Sequence, residues 1–218
     1  MNSVLQRACA KPMYHILGAR SAILPPYFRH GGVAMRFVFN ARKAAQAAAH
    51  LVKLHGGSIN LMALIKLLYL ADRQALLETG YPITGDRMVS MPHGPVLSRI
   101  YDSAKWGNTE GEPWYEYISE RNNHDVSLLL DPPESDELSQ YELEVLRKIH
   151  DDFGSMSQWE LRDLTHTLPE WQDPQGSSLP IDAETILRMA GKSDQEIQRY
   201  SLEAEEVYFL STVGTARP

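Results

Sequence analysis

The sequence predicts a mainly α-helical fold, organised as a single compact helical domain with a small antiparallel β-hairpin or sheet. Residues 61–71 are apolar on almost every side of a 3.6-residue helix. Serine–glutamate pairs spaced three residues apart mark helix starts in the C-terminal third. Two short strand-like runs flank a polar turn. A soluble helix that is apolar all round belongs in a core, so we expect the domain to pack around residues 61–71.

The first predicted helix covers residues 40–53. Five alanines in the six positions 44–49 give this segment a strong helix propensity. Asn40 is the predicted N-cap, and Gly56 with Gly57 is the predicted stop. Because small side chains allow close approach, we expect this helix to lie against the central one.

A turn-rich connection at residues 80–85 follows the central helix, and residues 87–91 favour a short strand. Pro95 is then predicted to be the first residue of the next helix, where its missing amide hydrogen has no penalty. This helix has an apolar stripe made of Val96, Leu97, Ile100, Tyr101 and Ala104. Ser98, Asp102 and Lys105 share its other face.

The remaining elements are a hairpin and four helices. Residues 114–119 and 126–130 are predicted to pair as a β-hairpin, and residues 169–180 form a loop. Each of the four helices has a predicted N-terminal cap. In chain order, the caps are Ser139 with Glu142, Ser157 with Glu160, Asp182, and Ser193 with Glu196.

Charge divides the chain into a basic start and an acidic body. Residues 1–34 carry no Asp or Glu and four basic residues, which are Arg7, Lys11, Arg20 and Arg29. Removing these from the 21 basic residues of the chain leaves 17 against 28 acidic ones, or −11 for residues 35–218. We interpret 1–34 as a poorly ordered extension, 35–211 as the domain and 212–218 as a tail. A transit peptide or a nucleic-acid-binding arm is the alternative for the extension.

Composition narrows the class of protein. The chain has 218 residues, 43% apolar and 22% charged, which is typical of a globular domain. Cys9 is the only cysteine, so no disulfide framework or thiolate metal site is expected, which fits a reducing cytoplasm. There is no run of 18 apolar residues, so we expect no membrane-spanning helix. We expect no cofactor and no metal, since HExxH, CxxC, Walker and G-x-S-x-G motifs are absent from the sequence.

Motifs in a fixed order resemble the Panacea-domain antitoxin family, a SocA-like, phage-associated family. The motifs are KLLYLAD at residues 66–72, GYPITGD at 80–86, MPHGPVLSRIYD at 91–102, and Thr165, His166 and Trp171. The resemblance spans about residues 39–171. It implies a mostly helical domain that neutralises a small toxin by forming a complex with it.

Polar residues inside these motifs are the candidate site. Lys66 and Arg73 lie seven residues apart, on one face of the central helix. His93 and His166 are imidazoles that either hold loops by hydrogen bonds or act as acid–base groups. We predict no catalytic residue, because no base is placed beside Ser98 and Asp102. The predicted partner-binding residues are Lys66, Arg73, His93, Arg99, Asp102 and His166.

Four functions compete at the level of sequence. The leading hypothesis is an antitoxin that binds a cognate, translation-targeting toxin, because an acidic body complements a basic toxin surface. A proteolytic adaptor would also need a protease as partner, and a DNA-binding autorepressor would use the basic extension. An enzyme would depend on His93 and His166. A homo-oligomer is a further expected partner state, whereas neither a membrane nor a nucleic acid is an expected partner of the leading function.

Overall fold

The structure is a computed structural model that describes residues 35–106, 113–134 and 136–213, and it confirms the mainly α-helical fold class. The helices of these ranges are α1 Ala41–Leu54, α2 Leu61–Thr79, α3 Ser98–Trp106, α4 Trp114–Tyr117, α5 Gln140–Phe153, α6 Gln158–His166, α7 Ala183–Met189 and α8 Asp194–Val213. The strands are β1 Ser58–Asn60, β2 Met88–Ser90, β3 Val96–Leu97, β4 Asp125–Ser127 and β5 Leu179–Ile181.

Helix α2 is the centre of the core, as its all-round apolar pattern predicts. It contacts α1, α3, α5, α6 and α7, and Leu64, Leu67 and Leu76 are completely buried. The Asn60 side chain caps its start by accepting hydrogen bonds from the amides of residues 62 and 63. Gly80, with a φ of 81°, ends it in the left-handed conformation that glycine adopts without strain.

Helix α1 has the predicted cap and the predicted buried face. The amide of Lys43 donates to Asn40 Oδ1 at 3.0 Å. All five alanines between residues 44 and 49 are buried, and α1 packs against α2, α4 and α5. The prediction that this helix lies against the central one is confirmed.

Two small antiparallel sheets confirm the predicted class of β-structure but not its pairing. Strand β4 pairs with β1 rather than with residues 114–119, and β2 lies between β3 and β5. Residues 114–117 form the one-turn helix α4, because Trp114 and Tyr117 are both buried and a turn of helix places them on the same side. Among the described residues, the predicted hairpin is reduced to isolated bridges, such as Ile118 with Leu128.

Helix α3 begins three residues later than predicted. Pro95 is not its first residue, because Val96 and Leu97 pair with β2 as strand β3. The carboxylate of Asp86 caps the helix instead, accepting from the amides of Arg99 at 2.9 Å and Ile100 at 3.0 Å. A side chain twelve residues upstream of the helix therefore determines where α3 starts.

The C-terminal helices begin where predicted. Capping boxes at Ser139 and Ser157 start α5 and α6, and Ser193 makes the equivalent bonds with Glu196 before α8. Asp182 occupies the cap position of α7 without a side-chain hydrogen bond. The predicted loop 169–180 is wrong at its end, because residues 179–181 form β5 beside β2.

The described residues contain no helix that is long and apolar enough to cross a bilayer. The predicted extension at residues 1–34 and most of the predicted tail lie outside the described residues.

Candidate functional site

Lys66 is the polar residue buried most deeply among the predicted site residues. It projects from α2 with 1% of its surface exposed, and its Nζ donates to the carbonyl of Pro95 at 2.8 Å. That carbonyl is its single hydrogen-bond acceptor among the described residues. An ammonium group has three N–H donors, so Lys66 is poorly compensated. Burial lowers the pKa of Lys66 to about 7.

At Gly94 the His-Gly-Pro motif meets the Thr-His motif, next to the Lys66 amine. The φ of Gly94 is 89°, and a Cβ there would lie 2.7 Å from Thr165 Oγ1 and 2.9 Å from Lys66 Nζ. The same Cβ would lie 3.1 Å from His166 Cδ2. Only glycine fits a left-handed position with neighbours this close. The His-Gly-Pro and Thr-His motifs, about seventy residues apart in sequence, therefore meet above Lys66.

His166 is held by stacking rather than by hydrogen bonds. Its ring lies 4.1 Å from the Trp171 ring at an angle of 18° between planes, and Trp171 Nε1 donates to the Met91 carbonyl at 3.1 Å. Nε2 of His166 is buried and has no hydrogen-bond partner among the described residues. Burial first, and then the nearby charge of Lys66, lower the pKa of His166. The imidazole is therefore neutral near pH 7.

A groove of about 490 Å³ opens beside this cluster, between the start of α2, the 91–96 segment, α3 and the start of α6. Met62, Ile65, Val96 and Trp159 supply an apolar surface. The basic and imidazole lining residues are Lys66, His93, Lys105, Arg121 and His124. No described lining residue is an Asp or a Glu.

Arg73, two turns along α2 from Lys66, belongs to a different arrangement. Its guanidinium contacts both carboxylate oxygens of Glu170, at 2.5 and 3.2 Å. The hydroxyl of Tyr69 donates to the same carboxylate at 3.0 Å, and Glu170 is 2% exposed. This buried pair ties α2 to the segment after α6.

A second buried carboxylate, that of Asp72, holds the 80–86 loop. It accepts from Thr84 N at 3.1 Å and from Thr84 Oγ1 at 2.5 Å. Complete burial raises the pKa of Asp72 to about 7, although the bonds from Thr84 oppose the shift. The loop in turn positions Asp86 as the cap of α3. These contacts give the KLLYLAD and GYPITGD motifs a structural role.

The other two predicted site residues lie away from the groove lining. The guanidinium of Arg99 lies 5.0 Å from the centre of the Phe39 ring, and Asp102 is exposed on α3. The structure thus brings together Lys66, His93 and His166, and it separates them from Arg73, Arg99 and Asp102. His93 is exposed at the groove, and its charge is close enough to lower the pKa of His166 slightly.

Sequence reasoning missed Asp72, Asp86 and Glu170 as organising residues. Asp72 and Asp86 were visible as the last residues of two motifs, and Asp72 is a polar exception on an apolar helix. Glu170 lies 97 residues from its partner Arg73, so no local pattern joins them. Among the described residues, no group of three or more His, Cys, Asp or Glu side chains is placed to hold a metal ion.

Comparison with known proteins gives one match. The model of the family described as antitoxin SocA-like, Panacea domain, covers residues 64–172, which is half of the chain. The matched range contains Lys66, Gly94, His166 and the Arg73–Glu170 pair. No curated protein and no solved structure matches the chain.

Proposed function

The chain belongs to the SocA-like, Panacea-domain antitoxin family, and from that premise we propose that it neutralises a cognate toxin by binding it directly. The observation that carries the proposal is the family match, which covers the whole cluster of Lys66, Gly94, Thr165 and His166. In this proposal the toxin acts on translation. Such toxins need basic surfaces to contact RNA, and the −11 of residues 35–218 would attract them.

We propose a binding role rather than a catalytic one for the cluster. Catalysis of group transfer needs a nucleophile in contact with a base. The Thr165 hydroxyl instead donates to the carbonyl of Arg162 at 3.0 Å, and His166 is stacked and buried at Nε2. Lys66 is bonded to a main-chain carbonyl. These groups support the shape of the groove beside them.

The six predicted partner-binding residues divide into two roles in this proposal. His93, Arg99 and Asp102 are exposed and are proposed to contact the toxin. Arg73 and His166 act from beneath the surface, by holding the segments that carry the contacts, and Lys66 borders the groove from its buried side. The docking surface would then extend from the groove along the exposed face of α3.

Expression in a bacterial host tests the proposal. We expect the protein alone to be harmless and to restore growth when the small protein of the adjacent reading frame is expressed with it. Size-exclusion chromatography should show the two proteins as one complex. Absence of both rescue and complex would overturn the antitoxin assignment.

The same pair of proteins separates inhibition from delivery to a protease. For an inhibitor, the lifetime of the toxin in a reconstituted protease reaction should be unchanged or longer when the antitoxin is present. A shortened lifetime would replace simple inhibition with the adaptor function.

A further inference from the structure

The groove next to Lys66 has a charge opposite to that of the domain. Residues 35–218 have 28 acidic and 17 basic side chains, yet the described lining of the groove has no acidic one. Arg121 and Lys105 line it, together with the exposed imidazoles of His93 and His124. A cationic cleft in an acidic protein attracts an anionic group.

Lys66 adds a buried cation with too few partners. It lines the groove and is bonded only to one carbonyl among the described residues. The charged and titratable groups that act on the neighbouring His166 are Lys66, Arg162 and His93, with Asp163 as the acid. Asp163 is largely exposed and is engaged by Arg162 at 2.6 Å. A carboxylate entering the groove would therefore supply charge compensation that the described residues do not.

The remaining lining of the groove favours apolar side chains. Met62 and Ile65 of α2 and Val96 of β3 line it, and Trp159 is 51% exposed at the start of α6. The guanidinium of Arg162 lies 5.0 Å from the centre of the Trp159 ring. Exposed tryptophan and arginine are the residue types that dominate binding energy at protein interfaces. The volume of about 490 Å³ lies within the ~300–1,000 Å³ typical of ligand pockets. It is therefore large enough for a few side chains of a partner.

We propose that this groove binds a short segment of the toxin in which an Asp or Glu side chain lies between apolar side chains. The carboxylate lies between Lys66 and Arg121, and its apolar neighbours pack on Trp159 and Ile65. This inference rests on the proposed antitoxin function and names the part of the toxin that the antitoxin recognises. The toxin is then expected to have one local acidic segment on an otherwise basic surface.

Peptides of twelve residues that tile the toxin sequence test the proposal by fluorescence anisotropy. We expect the peptides that bind to contain an acidic residue flanked by apolar ones. Replacing that residue by its amide, Glu by Gln or Asp by Asn, should weaken binding at least ~tenfold. Binding only by basic peptides, or no effect of the amide, would overturn the proposal.

Paired variants of the full-length chain locate the binding. Arg121→Glu and Trp159→Ala should each weaken binding of peptide and toxin at least ~tenfold. The controls are Arg147→Glu and Phe209→Ala, which change an exposed arginine and an exposed aromatic residue outside the groove. These should bind within ~twofold of the parent. Thermal melts of all four variants should match the parent, since the changed side chains are exposed.

Lys66→Met distinguishes recognition from support of the fold. We expect it to bind the peptide more weakly while unfolding at a higher temperature, because it removes a poorly compensated buried charge. A purely structural lysine would instead give lower stability and weaker binding together, which would overturn its part in recognition.

The outcomes also separate this inference from the function on which it rests. If the parent restores growth and both groove variants bind the toxin like the parent, the groove proposal is wrong and the antitoxin function stands. If the parent itself neither rescues growth nor forms a complex, the proposed function is wrong and the groove proposal falls with it.

Discussion

Lys66 and Arg73 lie on the same face of helix α2, but only Arg73 has a described carboxylate partner. Arg73 meets the buried carboxylate of Glu170 through two contacts, and Tyr69 joins the same carboxylate. Lys66 meets one carbonyl and an open groove. A buried charge with a carboxylate partner is compensated, whereas a buried charge without one raises the energy of the folded state.

The comparison separates support of the fold from binding along a single helix. The Arg73 end has its charges matched internally, so it has no electrostatic need of a ligand. The Lys66 end is a cleft with perturbed titratable groups, an arrangement typical of functional sites. Replacement of Lys66 and replacement of Arg73 are therefore expected to have different consequences for stability and for binding.

Removal of the carboxylate at the Arg73 end should have the largest effect. Glu170→Ala leaves the Tyr69 hydroxyl and the Arg73 guanidinium without their shared partner, and we expect a loss of ~3–5 kcal/mol in the free energy of unfolding. Urea melts measure it. The matched control is Asp131→Ala, which breaks an exposed pair with Lys53 at 3.3 Å and should change stability by less than ~1 kcal/mol. Equal effects at the two positions would contradict the assignment of Glu170 as a buried anchor.

The part of α2 between the two cations is expected to be purely structural. Leu67 and Leu68 are 0% and 1% exposed. Leu67→Ala or Leu68→Ala should lower the free energy of unfolding by ~2–5 kcal/mol, the usual range for a buried leucine. Denaturant melts that show less than ~1 kcal/mol for both would remove α2 from the core.

Replacing each of two glycines by alanine tests how closely the chain packs above Lys66. A Cβ at Gly94 would meet Thr165, Lys66 and His166, whereas a Cβ at Gly57 would have no neighbour within 4 Å. Both glycines have positive φ, at 89° and 93°. We expect Gly57→Ala to lower stability by ~1–2 kcal/mol through backbone strain alone, and Gly94→Ala by ~2–4 kcal/mol because overpacking is added. Equal losses in thermal melts would show that the loop moves away from Lys66 easily.

Local sequence patterns predicted what depends on local contacts. Asn40, Ser139 and Ser157 cap helices through atoms within three residues, so their helix starts were predicted correctly. Pro95 was misplaced because the competing cap comes from Asp86, and residues 114–117 were misread because tertiary burial of Trp114 decides their conformation. The fold class therefore followed from periodicity and caps, while strand pairing did not.

The candidate site was predicted less completely, for the same physical reason. Lys66 and Arg73 were visible as charges on an apolar helix, and their shared face was correct. Their opposite surroundings depend on Glu170 and Pro95, 97 and 29 residues away. A spacing of seven on a helix gives direction but not the identity of the group that the side chain meets.

Lys66 makes the stability of the protein depend on pH. The pKa of Lys66 is about 7 in the folded protein and 10.5 when the chain is exposed to water. Between these values the unfolded chain binds more protons than the folded one, so stability rises as pH rises. Below pH 7 both states are protonated and the burial of the charge is fully destabilising.

Lys66→Met removes this titration and leaves all other groups in place. We expect the variant to be more stable than the parent at pH 6, and its advantage should shrink by ~1–3 kcal/mol between pH 7 and pH 9. Urea melts of both proteins at several pH values measure the difference. Asp72→Asn is the companion control. The pKa of Asp72 is raised from 3.8 to about 7. This group therefore makes the parent lose stability as pH rises from about 3.8 to about 7, which is the opposite direction to Lys66. A difference between Lys66→Met and the parent that is constant with pH would mean that Lys66 is charged and well compensated in the folded state, and the contrast with Arg73 would disappear.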